Sequence, residues 1–202
     1  MRKSAAVLLV VAGTWGTACD QSQSREAERA TPAASAVVAD KAFASGGGIA
    51  MQLDGGSYEV RAAADDRIRV TVNGNAGNAR VDVAAAGQHA DVNVRDTPHS
   101  SFKAVIEVPK ATDLTIRLAA GELVLAAIAG NKDVESTAGN VTIVVGDAKD
   151  YSAVDASVKA GELKADPFGE SKSGLLQHFT WSGSGTRRIR AVLGAGNLVL
   201  KQ

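Results

Sequence analysis

The stretch of sequence that decides the fold is 114–163, in which one short phrase returns three times. The phrase is alanine, glycine, a polar residue and an aliphatic residue: AGEL at 120–123, AGNV at 138–141 and AGEL at 160–163. Between the copies, apolar and polar residues alternate, as in LTIRL at 114–118. A side-chain period of two is typical of a β-strand with one buried face. The stretch therefore predicts short strands broken by glycine turns.

The same alternation extends over the rest of the body. Ile68, Val70 and Val72 share one face of a predicted strand, and further short alternating runs follow up to the C-terminus. Turn residues arrive about every ten residues, which is typical of an all-β fold. The alanine runs at 62–64 and 84–86 are too short for helices. Only 166–176 interrupts the rhythm, and there we expect an irregular loop.

The spacing of the phrase favours a stack of repeats. Gly121 and Gly139 are 18 residues apart, and Gly139 and Gly161 are 22 apart. A near-constant period of about twenty residues is typical of solenoids. We therefore expect a parallel β-helix or β-solenoid-like stack of short strands, with Gly121, Gly139, Gly161 and Gly196 at structural turns. An antiparallel β-sandwich would show the same alternation and is the alternative.

The N-terminus has the pattern of an export signal. Arg2 and Lys3 precede an apolar run at 5–12, and small residues occupy 16–18. The run is too short to span a bilayer, so 1–18 is predicted to be a signal peptide. Cys19 comes next, in a context that resembles the lipobox of bacterial lipoproteins, although Gly16 stands where leucine is usual. We expect lipidation at Cys19 and anchoring by acyl chains; an ordinary signal peptide is the alternative.

A polar segment separates this signal from the body. Residues 19–48 are rich in Ser, Gln, Ala, Glu and Arg and end in three glycines. Such a segment has little apolar surface to bury, so we expect a disordered tether. The folded domain is then predicted to occupy 49–202.

Composition and motifs exclude several classes of function. Lys plus Arg equals Asp plus Glu at 22 each, so nothing favours a nucleic-acid partner. One cysteine allows neither an intrachain disulfide nor a cysteine-based zinc site. The three histidines, His89, His99 and His178, lack metal-ligand spacing. No nucleotide, phosphate or nucleophile motif is present, so we expect no cofactor, no metal and no catalytic residue.

Two sets of residues remain as candidates for function. Glu122 and Glu162 share one repeat position, with Asn140 and Asn197 at its equivalents, so stacked repeats would align them in a polar row. Such a row could hold a cation or serve a sugar-cleaving site, but a solvated corner is the better interpretation. Phe179 and Trp181 could cap the open end of the core or form an aromatic platform for a sugar. The cap is the better interpretation.

With these residues in view, the body resembles the putative adhesin family of bacterial β-strand-repeat envelope proteins. The resemblance rests on the three glycine phrases, on FTWSGSG at 179–185 and on GAGNLVL at 194–200, and covers the last two thirds of the chain. It implies an exported, often membrane-anchored, β-solenoid-like domain with no known activity and no catalytic positions.

These observations together predict a non-catalytic lipoprotein of the bacterial cell envelope, periplasmic or surface-facing. It would serve as an adhesin-like structural or interaction module, held at the membrane by its lipid anchor. An envelope protein or a polysaccharide is the expected partner. The alternatives are a carbohydrate-active enzyme built on a β-helix and an accessory protein in envelope signalling.

Overall fold

The computed structural model describes residues 36–202, and within them it is an all-β protein. The predicted signal peptide, Cys19 and the first part of the tether lie outside the described residues. No helix in the described part is long and apolar enough to cross a membrane. The strands are β1 (Ala36–Ala42), β2 (Gly48–Leu53), β3 (Gly56–Ala62), β4 (Arg67–Gly74), β5 (Arg80–Ala86), β6 (His89–Arg95), β7 (Phe102–Val108), β8 (Asp113–Leu125), β9 (Lys132–Val144), β10 (Tyr151–Ala165), β11 (Glu170–Ser182) and β12 (Arg187–Lys201). Two short 3₁₀ turns cover Ala148–Asp150 and Asp166–Phe168.

Strand formation follows the alternation in the sequence. In β4, Ile68, Val70 and Val72 are buried, while the residues between them are half-buried. The same pattern recurs along the other central strands, and their inward residues form one hydrophobic core. The prediction of an all-β fold is confirmed.

The strands form one mixed sheet whose centre is parallel. Strands β3, β8, β9, β12 and β10 lie side by side and parallel. Strand β2 is also parallel to β8, and it pairs with the first half of β8 while β3 pairs with the second half. Strand β11 pairs antiparallel with β10 at one edge. On the other side, β7, β4 and β1 continue from β3, while β6 and β5 continue from β2. Strand β12 lies between β9 and β10, so neighbours in space are not always neighbours in the chain.

Each long central strand turns at a glycine near its middle. Gly121, Gly139, Gly196 and Gly161 have φ between +119° and +140°, a region that side chains rarely adopt. At this point the inside–outside alternation shifts by one residue: in β8, Leu118 is buried and the next buried residue is Leu123. Both halves of each strand thereby send their aliphatic residues into the shared core.

The turning points lie in register across the sheet. We call this line of five glycines the corner row. In spatial order it comprises Gly56, Gly121, Gly139, Gly196 and Gly161. A Cβ on Gly139 would lie 1.8 Å from the carbonyl oxygen of Gly121, and one on Gly196 would lie 1.8 Å from that of Gly139. The backbones approach so closely that only glycine fits.

The corner row differs in one respect from the expected stack. Gly121 and Gly139 are direct neighbours, but Gly196 lies between Gly139 and Gly161. The last strand of the chain is therefore inserted into the stack, and the chain does not coil in simple sequence order. The mixed sheet with one shared core is also compatible with the sandwich alternative.

Two segments differ from their sequence interpretation. The segment predicted as a disordered tether contains strand β1. This part of the segment is ordered because its backbone pairs with β4 and the adjacent Phe43 is buried in the core. Most of the stretch expected to be irregular belongs to β11, which starts at Glu170. Strand β11 pairs with β10 along its whole length, but its side chains are mostly exposed. Its sequence therefore lacks the alternation of apolar and polar residues by which a half-buried strand is recognised.

Candidate functional site

A line of polar side chains runs beside the corner row. One residue follows each corner glycine on each strand, and we call this line the polar row. In spatial order it comprises Ser57, Glu122, Asn140, Asn197 and Glu162. The backbone turn at each glycine directs the next side chain away from the core, so Glu122, Asn140 and Asn197 are exposed. The structure thus places the four repeat residues from the sequence in one row.

Side chains in the polar row bond to their neighbours in pairs. The Ser57 hydroxyl donates to Glu122 Oε2 at 3.2 Å, and Asn197 Nδ2 donates to Asn140 Oδ1 at 3.0 Å. At the far end, Glu162 pairs with Lys164 at 2.9 Å. These contacts order the row without drawing its two glutamates together.

The two glutamates stand far apart for acid–base chemistry on one bond. Strands β9 and β12 separate them, so three inter-strand spacings of about 4.8 Å place their backbones about 14 Å apart. Paired carboxyl groups of glycoside hydrolases lie only about 5 to 9.5 Å apart. Glu122 bonds towards Ser57 on its outer side, and Glu162 pairs with Lys164 on its own strand. The arrangement presents separate polar groups along a line.

A groove of about 820 Å³ lies at the Ser57 end of the polar row. One wall is the turn between β2 and β3, another is the loop between β6 and β7, and the third is the corner of β8 and β9. Glu122 and Asn140 also line the groove, the loop contributes His99, and β7 contributes Lys103. Its volume falls within the range of small-ligand sites, about 300 to 1,000 Å³.

A four-residue ion network covers the sheet before the corner. Arg117 bonds to Asp133 at 3.2 Å and to Glu135 at 3.2 Å, and Arg190 reaches the same two carboxylates at 3.0 and 2.6 Å. Burial alone would raise the pKa of Asp133, but hydrogen bonds and charges from both arginines outweigh it, so that pKa is lowered. The network joins β8, β9 and β12 and pairs each of its four charges with an opposite charge.

A buried lysine lies on the opposite side of this region. Lys132 is 2% exposed, and its ammonium donates to the carbonyl oxygens of Ile128 at 2.7 Å and Gly130 at 3.2 Å. It also donates to the Tyr151 hydroxyl at 3.0 Å, which in turn donates to the Val145 carbonyl. Burial and the positive charge of Arg187 lower the pKa of Lys132 to about 8. All three donors are occupied, so Lys132 ties the loop before β9 to the start of β10.

The predicted C-terminal aromatics lie in a cluster against β10. Phe179 is buried, Trp181 is half-buried, and the Phe168 ring lies 6.3 Å from the first and 4.8 Å from the second. Tyr151 meets Phe168 edge-on at 6.4 Å. These rings pack together beside the edge of the sheet that β11 forms.

The remaining predicted positions do not converge on a site. His89 is exposed on β6, His178 bonds to Asp155 at 3.1 Å, and His99 lies in the groove wall. Within residues 36–202 no group of three or more His, Cys, Asp or Glu side chains could hold a metal ion. Cys19 lies outside the described residues.

Sequence reasoning missed the groove and Lys132. The groove depends on the loop between β6 and β7 lying against β3 and β8, and no local pattern signals that contact. Lys132 could have been found, because it occupies an inward position in the alternation that continues with Val134 and Ser136.

Comparison with known proteins gives a likeness in fold. No family model matches the chain, and no curated protein sequence matches it. A putative cell adhesion protein from Clostridium sporogenes is similar in structure, with a TM-score of 0.50 and 12% identity over 84% of this chain and 99% of that one. A putative adhesin from Parabacteroides merdae gives a TM-score of 0.29 and 10% identity over 85% of this chain and 82% of that one. The first likeness supports the fold alone, and the second carries no weight.

Proposed function

We propose that the protein is a non-catalytic, adhesin-like interaction module of the bacterial cell envelope, exported and lipid-anchored through Cys19. The bent parallel strands would act as coils of a β-solenoid-like stack that holds a binding surface rigid. The observation that carries the proposal is the polar row, in which one polar side chain per strand, exposed or half-buried, lies along a line. A line of separate polar groups suits recognition of an extended partner.

The spacing of carboxylates supports a binding role over a sugar-cleaving one. Glu122 and Glu162 are about 14 Å apart along the sheet, beyond the separation that acid pairs in glycoside hydrolases require. The other clustered carboxylates, Asp133 and Glu135, are held by Arg117 and Arg190. An acid neutralised by two guanidinium groups is a poor proton donor.

The envelope location rests on the N-terminal sequence and on the kinship in fold. The lone cysteine follows an export-like signal, and the similar Clostridium sporogenes protein is described as a putative cell adhesion protein. An acyl chain stabilises membrane attachment in proportion to the apolar length that it inserts. Cys19→Ser should therefore move the full-length protein from the membrane fraction to the soluble fraction.

The test combines fractionation with a search for turnover. Cells that produce wild-type protein or Cys19→Ser are separated into membrane and soluble fractions, with Cys19→Ala as a second variant. Purified full-length protein is then incubated with envelope polysaccharides, and release of reducing ends is measured. We expect membrane release of both variants and no turnover. An unchanged distribution would refute the anchor, and turnover lost in Glu122→Gln or Glu162→Gln would refute the non-catalytic role.

A further inference from the structure

The groove beside the polar row continues into a second hollow. This hollow has a volume of about 290 Å³ and shares Ser57, Lys103 and Glu122 with the groove. Asn73 of β4 lines its far side, in register with Lys103 of β7. Together they form one continuous depression that begins at Asn140 and ends at Asn73.

One residue of the second hollow, Asn73, carries an unsatisfied polar atom. Within residues 36–202, the buried side-chain polar atoms that lack a hydrogen-bond partner are Asn73 Oδ1 and the Tyr58 hydroxyl. Tyr58 is 1% exposed, and its ring packs 5.8 Å from that of Phe102, which lines the groove. An unpaired buried polar group costs about 1 to 3 kcal/mol, so native structures rarely leave one unmatched. The Tyr58 side chain belongs to the core, whereas Asn73 lines the second hollow, where a turn of its amide would bring the unpaired oxygen to a ligand hydroxyl.

Two charged side chains of the depression, Glu122 and Lys103, make no ion pair among the described residues, although Glu122 accepts a hydrogen bond from Ser57 through one oxygen. In the described part of the chain there are six glutamates, and Glu122 is the one without an ion pair. Its counterpart Glu162 is held by Lys164. Lys103 is exposed and also makes no ion pair among the described residues. Asn140 uses its carbonyl oxygen to accept from Asn197, which leaves its amide hydrogens as donors.

The loop wall of the groove is held in a set conformation. Asp96 and Ser101 have φ of +57° and +63°, and they bracket the residues of the wall. Such angles cost non-glycine residues about 1 to 3 kcal/mol and cluster at functional sites. Thr97 Oγ1 donates to the Gly55 carbonyl at 2.6 Å, and the backbone N–H of Asn75 donates to the Ser101 carbonyl at 3.2 Å. The wall is therefore preformed.

We propose that this depression is the ligand site of the module and that it binds a neutral, hydroxyl-rich ligand, a saccharide chain. Adjacent hydroxyls of the ligand donate to the free oxygen of Glu122 and to Asn73 Oδ1, and they accept from Lys103 and from the Asn140 amide. Lys103 lies among the carboxylates Asp54 and Glu122, and Glu59 is paired with Arg61, so the depression has no excess of positive charge. Such a lining disfavours an anionic polymer, and its mixture of donors and acceptors suits the hydroxyl groups of a polyol. The inference rests on the proposed function, because it supplies the ligand class for that module.

The test uses the full-length protein and two matched pairs of variants. Glu122→Gln removes the free carboxylate, and Glu170→Gln makes the same change on β11, outside the polar row and outside the depression. Ala120→Trp fills the groove, and Ala195→Trp places the same bulk at an equally exposed repeat position outside it. An array of neutral oligosaccharides is screened, and the strongest binder is titrated against each variant. A lysine decapeptide serves as the charged competitor.

We expect binding of a neutral oligosaccharide that Ala120→Trp and Glu122→Gln each weaken by about tenfold or more. Ala195→Trp and Glu170→Gln should bind like wild type, and equal thermal melting of each pair excludes misfolding. Four results would overturn the inference: no binding on the array, equal loss within a pair, wild-type binding by the groove variants, or Glu122-dependent binding of the decapeptide alone. Each would leave the proposed envelope function to be judged by fractionation and turnover.

Discussion

Replacing Gly139 with alanine should destabilise the protein more than any ordinary glycine-to-alanine change. The new Cβ would lie 1.8 Å from the Gly121 carbonyl oxygen and 2.8 Å from its carbonyl carbon, both backbone atoms. Unfavourable backbone conformation at φ +119° costs about 1 to 3 kcal/mol. Relief of the clash must also separate β8 from β9, and loss of two inter-strand hydrogen bonds adds about 2 kcal/mol. The total is about 3 to 5 kcal/mol, a large part of the stability of a typical domain.

Gly146→Ala is the matched control for this change. Gly146 also has a positive φ, of +75°, but a Cβ there would meet nothing closer than 3.8 Å. It therefore carries the conformational cost alone, about 1 to 2 kcal/mol. Urea unfolding of the full-length protein, followed by far-UV circular dichroism, gives both free energies of unfolding. If Gly139→Ala and Gly146→Ala lose the same stability within about 1 kcal/mol, the close packing of the corner row is refuted.

Three further predictions concern Lys132, the aromatic cluster and the ion network. Burial lowers the pKa of Lys132 to about 8 in the folded protein, whereas an unfolded chain has the ordinary lysine pKa of about 10.4. Above pH 8 the folded protein therefore loses this proton while the unfolded chain keeps it, so the free energy of unfolding should rise by about 1 kcal/mol from pH 7 to 9. Urea titrations should show this rise in wild type and not in Lys132→Met; a fall in both would contradict the assignment. Trp181→Ala removes the ring packed 4.8 Å from Phe168, so an earlier melting transition with aggregation is expected; normal folding with loss of a carbohydrate ligand would instead favour the sugar platform. Asp133→Asn should lower the free energy of unfolding by less than about 1 kcal/mol at low salt, because the arginines stay partly solvated, and a loss that persists in 1 M salt would contradict this reasoning.

The strands and the corner glycines were predictable because both are local signals. The alternation in β4 and β8 can be seen from residues two apart. The phrases around Gly121 and Gly139 belong to consecutive strands, β8 and β9, which pair directly with each other. Their physical causes, burial of one face and exclusion of side chains at a close approach, act wherever the pattern occurs. The polar row follows directly, since in-register glycines bring their neighbours into register.

The order of strands and the groove could not be predicted in this way. Strands β9, β10 and β12 all carry the same glycine phrase. The local sequence therefore does not show that the neighbour of β9 is β12 and not β10. Strand β11 is mostly exposed, so it lacks the alternation that marks burial. The groove brings together Ser57, Lys103 and Glu122 from three strands, and only the tertiary pairing of β3 with β7 and β8 creates it.

Disulfide trapping tests the strand order at the centre of this account most directly. In a Cys19→Ser background, Asn140→Cys with Asn197→Cys places two cysteines in register on adjacent strands, with α-carbons about 4.8 Å apart, within the range that a disulfide bridges. Asn140→Cys with Glu162→Cys places them two strands apart, about 10 Å, which is too far. Under mild oxidation of the folded protein, the account predicts a crosslink in the first pair and none in the second. A crosslink in the second pair and none in the first would show that β9 lies against β10, and it would contradict the corner row described above.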